Sequence, residues 1–470
     1  MHRTASLLFV ALLAGTSSLA VAGAPRCGSA AVTGDAARAA IDLVEKSLVE
    51  SHVGSAQGLD PAARAALESA RQQTRQGTTE RGLVDALNRA LVPLHDAHLE
   101  VRMNEEAARA CERLPVDFEW SGAGLWLRTG TPELPVGSRV LRLGALEATD
   151  LEKALAQRIP HEVPQWVRAN GSSRLGRADT LATLGVVGAD DTVSVAVLRP
   201  DGKQVRTKLK LVQPTAQANS KPWVGYRIFA AQHTGWFWFD RFEYDEELSS
   251  QLDAFLDAAE RAGVTKVAID VRGNPGGDSS VAIAMLDAMG FDGYQVFAVE
   301  PRPSPALAEG IPPLMPEALN PVFAQVGVPA IPADARTYVL PPPLVLAQLR
   351  DRVTAHPLKH ALSHKPKLFL LTDSGTFSSG TLFAVLMRDN HLGPLVGEAP
   401  GNSATFNGTE FHVALRDMPY FLNLTMARLH RIDTAAPDDA SLVPDVALPV
   451  TGADLAAGRD RALDYVLAAP

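Results

Sequence analysis

Apolar positions recur with helical spacing from residue 35 to about residue 104. The two stripes that they form are Ala37, Ile41, Val44 and Leu48, followed by Leu83, Leu87, Leu91 and Leu94. Thr79 precedes the second stripe and is placed to cap a helix, because its hydroxyl can accept a hydrogen bond from a first-turn N–H group. The pattern predicts an N-terminal helical domain over residues 23–114.

From about Pro115 the pattern changes to short segments in which apolar and polar positions alternate. Strands are predicted over 136–143, 193–198 and 205–211, and a helix over 148–159. The turn residues Pro200, Asp201 and Gly202 join the last two strands. The pattern predicts a β-rich module over 115–212, followed by a polar linker over 213–223.

Strands and helices alternate in the remainder of the chain, 224–470. A helix over 246–262 ends at Gly263 and is followed by a buried strand over 266–269. A second strand over 367–372 is followed by a helix over 379–390. This alternation predicts an α/β fold that binds ligands at the carboxyl ends of its strands. A Pro-rich stretch predicts a surface insertion at about 290–365.

The composition is that of a folded protein with several domains. At roughly 150 residues per domain, 470 residues suggest about three. A hydrophobic fraction of 46% and a charged fraction of 21% exclude collagen-like, coiled-coil and wholly disordered proteins. The formal net charge is −9 and no basic run occurs, which argues against binding to nucleic acid or to an anionic membrane surface.

The first 22 residues have the pattern of a secretory signal peptide. Arg3 supplies the positive charge, residues 7–14 the apolar run, and residues 20–22 the small-residue cleavage site. We therefore expect a mature chain from near Gly23 in the periplasm or outside the cell, without a membrane anchor. In that oxidising compartment Cys27 and Cys111 are expected to pair, the alternative being two free thiols.

The two strand ends carry residues suited to catalysis. After the first strand, Gly276 and Gly277 allow a sharp turn that presents N–H groups to a developing negative charge. After the second, Ser378 lies at a helix start, where the Ser379 N–H has no intrahelical acceptor. The alternatives are a helix N-cap and a tight loop without a catalytic role. The G-x-S-x-G elbow is not satisfied, because Thr376 replaces its first glycine.

A serine nucleophile needs a base, and His98 is the candidate. It lies at the end of the helical region in the run His95-Asp96-Ala97-His98. His95 and His98 are spaced as two metal ligands would be on a helix, but the sequence offers no firm third ligand. We therefore predict neither a metal nor a cofactor.

The motifs of the last 250 residues together resemble the tail-specific, or carboxy-terminal processing, serine peptidases. Residues 270–277 are similar to that family's D-[LV]-R-x-N-x-G-G signature. The motifs that follow in the family's order are Ser378-Ser379-Gly380, Val396-Gly397-Glu398, Val443-Pro444-Asp445 and Gly458-Arg459-Asp460. The resemblance covers residues 224–466 and implies a crotonase-like catalytic core. Residues 135–159 likewise resemble part of a degenerate PDZ module.

The resemblance also implies a catalytic arrangement. The family's Ser–Lys type has a lysine after the Gly-Glu pair, whereas here Asn402 and Ser403 occupy that segment and no lysine follows Lys367. The tricorn-like type takes a histidine from the preceding helical domain and an acid before the x-P-D motif, places that His98 and Asp438 fill. By this likeness Ser378 attacks, His98 transfers the proton, and Ser379 with Gly276 or Gly277 stabilises the oxyanion.

Three positions depart from the tricorn-like pattern. Ala97 replaces the serine before the histidine, Asp438 replaces a glutamate, and Thr381 replaces the glutamate three residues after the nucleophile. Asp439 and Asp96 are therefore alternatives to Asp438 as the acid that orients His98.

The expected function is that of an exported serine endopeptidase acting on extracytoplasmic proteins or peptides. Two alternatives stay open because a fold does not fix a function. One is an inactive relative that binds peptides or small apolar ligands. The other is a hydrolase of small esters or amides.

Overall fold

The computed structural model describes residues 27–214 and 221–470. The predicted signal peptide, residues 1–22, lies outside the described residues, as does the part of the predicted linker from 215 to 220. Within the described ranges, no helix combines the length and the apolar character needed to cross a membrane.

The fold is α/β and comprises several layers. The helices are α1 (Gly34–Ser51), α2 (Pro61–Thr74), α3 (Glu80–Leu91), α4 (Glu105–Ala110), α5 (Ala148–Ala156), α6 (Pro164–Arg174), α7 (Ala178–Thr183), α8 (Glu246–Arg261), α9 (Ser280–Ala288), α10 (Pro305–Gly310), α11 (Pro316–Gln325), α12 (Pro342–Val353), α13 (Ser379–Asp389), α14 (Gly452–Ala457) and α15 (Arg461–Ala468).

The strands follow the same chain order. They are β1 (Ala31–Val32), β2 (Thr78–Thr79), β3 (Glu100–Met103), β4 (Phe118–Ser121), β5 (Gly124–Leu127), β6 (Arg139–Leu143), β7 (Leu146–Glu147), β8 (Thr192–Leu198), β9 (Gln204–Lys210), β10 (Val224–Phe229), β11 (Thr234–Phe239), β12 (Lys266–Asp270), β13 (Ala298–Pro301), β14 (Lys367–Thr372), β15 (Leu395–Gly397), β16 (Phe406–Ala414), β17 (Tyr420–His430) and β18 (Val446–Ala447).

The helical region packs through the two predicted stripes. Leu48 of α1, Leu67 of α2 and Leu83 of α3 are fully buried in one core. The Thr79 hydroxyl accepts a hydrogen bond from the Gly82 N–H at 3.2 Å, which confirms the predicted cap. This core also contains Leu422 from β17, because β3 pairs antiparallel with β17. The helices are thus joined to the second half of the chain.

Cys27 and Cys111 form a disulfide with their Cα atoms 5.2 Å apart, as predicted. The bond closes a loop of 84 residues around α1, α2 and α3. Replacing both cysteines by serine should lower the free energy of unfolding by about 2–5 kcal/mol, because the unfolded chain gains conformational freedom. Urea unfolding measures this, and reduction of the unmodified protein should give the same loss. A loss below about 1 kcal/mol would show that the bond does not constrain the unfolded chain.

The middle of the chain forms an antiparallel sheet with strand order β4-β5-β6-β8-β9, and β7 pairs with β6. Leu198 pairs with Gln204 across the predicted turn. Helices α5 and α6 cover this sheet, with Leu151 and Val167 buried in its core.

The last part of the chain is built on a mostly parallel sheet of order β10-β11-β12-β14-β15-β18, in which all pairs after β10–β11 are parallel. Asp270 at the end of β12 pairs with Leu371 of β14. The loops after these two strands therefore emerge side by side at one edge. Helices α8, α9 and α13 contribute the buried Phe255, Met285 and Phe383 to its core.

The Pro-rich segment has both buried and exposed residues. Leu307 of α10 joins the helical core, and Phe323 of α11 joins the core of the mostly parallel sheet. Prolines open these helices, as Pro305 and Pro316 do. Proline fits the first turn of a helix, where its missing N–H has no intrahelical acceptor. The surface insertion at about 290–365 stays a prediction.

Candidate active site

Ser378 lies in the sharp turn between β14 and α13. Its backbone has φ 53° and ψ −120°, a conformation that costs a non-glycine residue roughly 1–3 kcal/mol. Its side chain makes no capping hydrogen bond, which removes the N-cap interpretation. Strain of this kind is typical of a serine nucleophile presented on a strand-to-helix elbow.

Hydrogen bonds hold the elbow without the glycine that the usual motif requires. The Thr376 hydroxyl donates to the Val271 carbonyl at 2.8 Å and so ties β14's loop to the loop after β12. Asp373 Oδ1 accepts the N–H groups of Gly273 and Gly375 at 2.8 and 2.9 Å. Thr376 therefore supports the turn instead of disrupting it.

Of the predicted oxyanion residues, Gly276 lies directly against Ser378. A methyl group on Gly276 would lie 2.5 Å from Cβ of Ser378 and 2.9 Å from the Ser379 nitrogen. The Gly276 N–H donates to Asn274 Oδ1 at 2.9 Å. By contrast, the N–H groups of Gly277 and Ser379 donate to no acceptor within the described residues. These two N–H groups are the candidates for oxyanion binding, whereas Gly276 allows the close approach.

Changing Gly276 to alanine should therefore disrupt Ser378. Its φ of +100° is strained for alanine, and the new methyl group would collide with the nucleophile. We expect at least about a 100-fold loss of peptide cleavage, by analogy with the loss of one oxyanion donor. Gly273→Ala is the matched control, because its φ is +71° and nothing lies within 4 Å of the added carbon. Equal losses in both variants would assign the effect to backbone strain alone.

His98 is buried beside the elbow, with 2% of its surface exposed. Its ring centroid is 4.2 Å from that of Phe377, the residue before Ser378, and 5.4 Å from that of Phe406. Neither ring nitrogen has a hydrogen-bond partner among the described residues. Burial lowers the pKa of His98, while the charges of Glu410 and Asp96 oppose this shift. The result is a neutral imidazole, the form that can accept a proton.

Asp96 fixes the loop that carries His98. Its Oδ1 accepts the backbone N–H groups of His98 and Leu99 at 3.0 and 3.2 Å. Its Oδ2 accepts hydrogen bonds from His52, Asn407 and Thr425. Burial raises the pKa of Asp96, but its interactions with His52 and Thr425 outweigh burial and lower it overall. Asp96 is therefore a fully bonded carboxylate that holds the backbone of His98 and not its ring.

Glu162, between α5 and α6, is a site residue that the sequence analysis missed. Its Oε1 accepts the Ala97 N–H at 3.0 Å, and its Oε2 accepts Asn402 Nδ2 at 2.9 Å. Asn402 Oδ1 in turn accepts the Ser378 N–H at 2.7 Å. Burial and the charge of Asp96 raise the pKa of Glu162 to about 8. Glu162 thus bonds to the loop of His98 and, through Asn402, to the nucleophile.

The structure does not bring Asp438 to His98. Asp438 is exposed, its backbone carbonyl accepts the Thr405 N–H at 2.8 Å, and its charge acts on Arg431. Asp439 instead lines a neighbouring cavity of about 390 Å³ with Glu162. Motif order gives the position of Asp438 in the chain but not the direction of its side chain. Its catalytic role stays a prediction.

The middle part of the chain covers the site. The Trp166 ring of α6 stacks on Phe377 with centroids 3.7 Å apart and an angle of 12° between the planes. Phe377 separates Trp166 from His98, since its other contact is with the imidazole. His98 is therefore closed from solvent by residues of two different parts of the chain.

Two groups within the described ranges have donors spaced for a metal ion. One is Asp96, His98 and Glu162, whose ligand atoms lie within 4.8 Å of one another. Both of its carboxylates already accept hydrogen bonds from protein groups. The other group includes Cys27 and Cys111, which are joined in the disulfide. Neither group offers a free set of ligands.

Residues 235–448 match the sequence model of peptidase family S41. The chain contains a peptidase family S41 domain. The match indicates a serine-type peptidase, the activity that the order of its motifs predicts. The matched residues include both strand-end loops and the Ser378 elbow. No curated protein sequence matches this chain.

Solved structures show the same fold. The chain is 15% identical to mature CPAF complexed with lactacystin, with a TM-score of 0.65 over 92% of this chain and 97% of that one. Mature CPAF gives 16% identity and a TM-score of 0.64 over 92% and 96%. At this identity the similarity establishes the fold, and it extends well beyond the matched S41 residues.

Proposed function

We propose that the protein is an exported serine endopeptidase that cleaves extracytoplasmic proteins or peptides through an acyl-enzyme on Ser378. The observation that carries the proposal is the strained Ser378 elbow beside a buried imidazole without a hydrogen-bond partner. The disulfide supports export, because such bonds persist in oxidising compartments. The antiparallel middle sheet supports a PDZ-like module over 115–212.

In the proposed reaction, Ser378 Oγ attacks the scissile carbonyl carbon while His98 takes its proton. The oxyanion accepts hydrogen bonds from the N–H groups of Gly277 and Ser379, aided by the N-terminal end of α13. The tetrahedral intermediate then collapses: the scissile C–N bond breaks as His98 protonates the leaving amine, and the acyl group stays on Ser378 Oγ. In the second half, a water molecule gives a proton to His98 and attacks the acyl carbon. The bond between that carbon and Ser378 Oγ then breaks, His98 returns the proton to Oγ, and the new carboxyl end of the peptide is released.

The orienting acid is proposed to be Asp96, with Asp438 as the alternative from the family's motif order. Asp96 holds the His98 backbone, whereas the Asp438 carboxylate makes no hydrogen bond with His98. Comparing Asp96→Asn with Asp438→Asn decides between them. The variant with the larger loss of kcat identifies the acid on which His98 depends.

A fluorophosphonate probe tests the proposed function. It should label Ser378 in the purified mature protein, and peptide mass spectrometry should locate the adduct. Labelling should disappear in Ser378→Ala and His98→Ala, because the first lacks the nucleophile and the second its base. Ser250→Ala, an exposed serine on α8, is the control and should label normally. Absence of labelling in the folded protein would contradict the proposal.

The second candidate is an inactive relative that binds peptides or small apolar ligands. The closed surroundings of His98, with Phe377 and Phe406 against its ring, favour it. Binding of a peptide without probe labelling or cleavage would support this candidate. Turnover of short esters but not of peptides would instead indicate a small-molecule hydrolase.

A further inference from the structure

A cavity of about 190 Å³ lies between α3, β3 and the helices of the middle region. Five arginines line it: Arg81, Arg102, Arg158, Arg174 and Arg177. The chain as a whole has a formal net charge of −9, so this concentration of positive charge is a local exception. We name it the arginine cavity, and we propose that it binds a small organic carboxylate.

The arginine cavity holds more arginines than carboxylates: Asp85 and Asp179 also line it, and the charge of Glu100 acts on Arg102. Three of the arginines have carboxylate partners, namely Arg174 with Glu100, Arg158 with Asp85, and Arg177 with Asp179. Arg81 and Arg102 are half-buried and have neither a hydrogen bond nor an ion pair from their side chains to any residue of 27–214 or 221–470. Partly desolvated guanidinium groups that face the same cavity repel one another unless an anion lies between them.

The walls of the cavity favour an organic anion over a bare inorganic ion. Apolar side chains from three elements line it beside the arginines, including Val84, Leu155 and Ile159. The cavity has room for about six water molecules, which is enough for a molecule of a few carbon atoms. Guanidinium groups present paired donors that match the two oxygens of a carboxylate. The ligand that fits these walls is thus a carboxylate with a short apolar body.

The arginine cavity is separate from the active site, so the inference does not rest on the proposed function. Neither Ser378 nor His98 lines it. Strand β3 links the arginine cavity to the active site along the chain. It begins two residues after His98 and carries both Glu100 and Arg102. Binding can therefore be measured on the folded protein whether or not it cleaves peptides.

Isothermal titration calorimetry with glutarate tests the proposal, and glutaramide is the matched neutral probe. We expect one glutarate per chain and no binding of glutaramide. The variant Arg81→Gln with Arg102→Gln should weaken glutarate binding at least tenfold, because it removes the two charges without an ion pair. Arg206→Gln removes an exposed charge from β9, away from the cavity, and should leave the affinity unchanged. Glutarate should also raise the midpoint of thermal unfolding.

Three results would overturn the inference. The first is no saturable binding of glutarate to the folded protein, and the second is equal affinity in the double variant. The third is binding of inorganic phosphate without glutarate, which would assign the cavity to a phosphate. If the double variant does not fold, Arg81→Gln and Arg102→Gln are titrated separately, and unchanged affinity in both would count against the proposal.

Discussion

Replacing Ser378 by alanine should reduce kcat for peptide cleavage by about 10⁴- to 10⁶-fold, with little change in stability. The loss is large because no acyl-enzyme can form without the hydroxyl. Stability should hold because the Ser378 side chain makes no capping hydrogen bond in the fold. Steady-state cleavage of a quenched-fluorescence peptide and urea unfolding measure the two quantities.

His98→Ala should cause a loss similar to that of Ser378→Ala, and the double variant should be no worse than either single variant. Nucleophile and base act as a unit, so their removal is not additive. In the unmodified enzyme, kcat/KM should rise with pH as His98 loses its proton, and the rise should lie below the ordinary histidine pKa because burial lowers that pKa. Additive losses would show that His98 does not act on Ser378.

The sequence predicts that Ser378 and the candidate N–H donors lie together because these features are local. Parallel strands β12 and β14 end at the same edge of the sheet, so the loops with Gly277 and Ser378 had to meet there. The pairing of Cys27 with Cys111 is predicted because the chain has two cysteines and the signal peptide indicates an oxidising compartment. His98 is a candidate base from its own segment, but only the resemblance to the family connects it with a serine some 280 residues later.

The rest of the site depends on contacts that no local pattern encodes. Glu162 carries no motif, and it reaches the site only because α6 docks on the elbow through Trp166 and Phe377. The sequence shows only that Asn402 lies in the segment where the Ser–Lys type has its lysine. In the fold, Asn402 forms hydrogen bonds with both Glu162 and Ser378. Side-chain direction is equally non-local, which is why motif order could place the Asp438 loop but not its carboxylate.

Replacing Glu162 by glutamine should lower kcat by about 10- to 100-fold, a loss typical of a misplaced catalytic group, and change KM little. Glutamine keeps one oxygen for the Ala97 N–H, but its NH₂ group would face the Asn402 NH₂ group, since both are donors. Asn402 cannot simply rotate, because its oxygen accepts the Ser378 N–H. The elbow and the His98 loop would therefore shift relative to each other.

The same substitution should change how stability depends on pH. The pKa of Glu162 is about 8 in the fold, against an ordinary value of 4.5. Between these values the folded protein keeps a proton that the unfolded chain has lost, so the free energy of unfolding falls as pH rises from about 4.5 to about 8. Glutamine does not titrate, so this part of the decline should be absent in Glu162→Gln.

Glu152→Gln is the matched control for both effects, because Glu152 lies in the same part of the chain but is only paired with Arg168 at its surface. It should leave kcat and the pH dependence of stability unchanged. Urea unfolding at pH 5, 7 and 9 separates the two variants. A different result would contradict this role: an equal loss of stability at all three pH values in Glu162→Gln, with kcat unchanged. Glu162 would then be a structural contact between the middle region and the mostly parallel sheet, without influence on the position of Ser378.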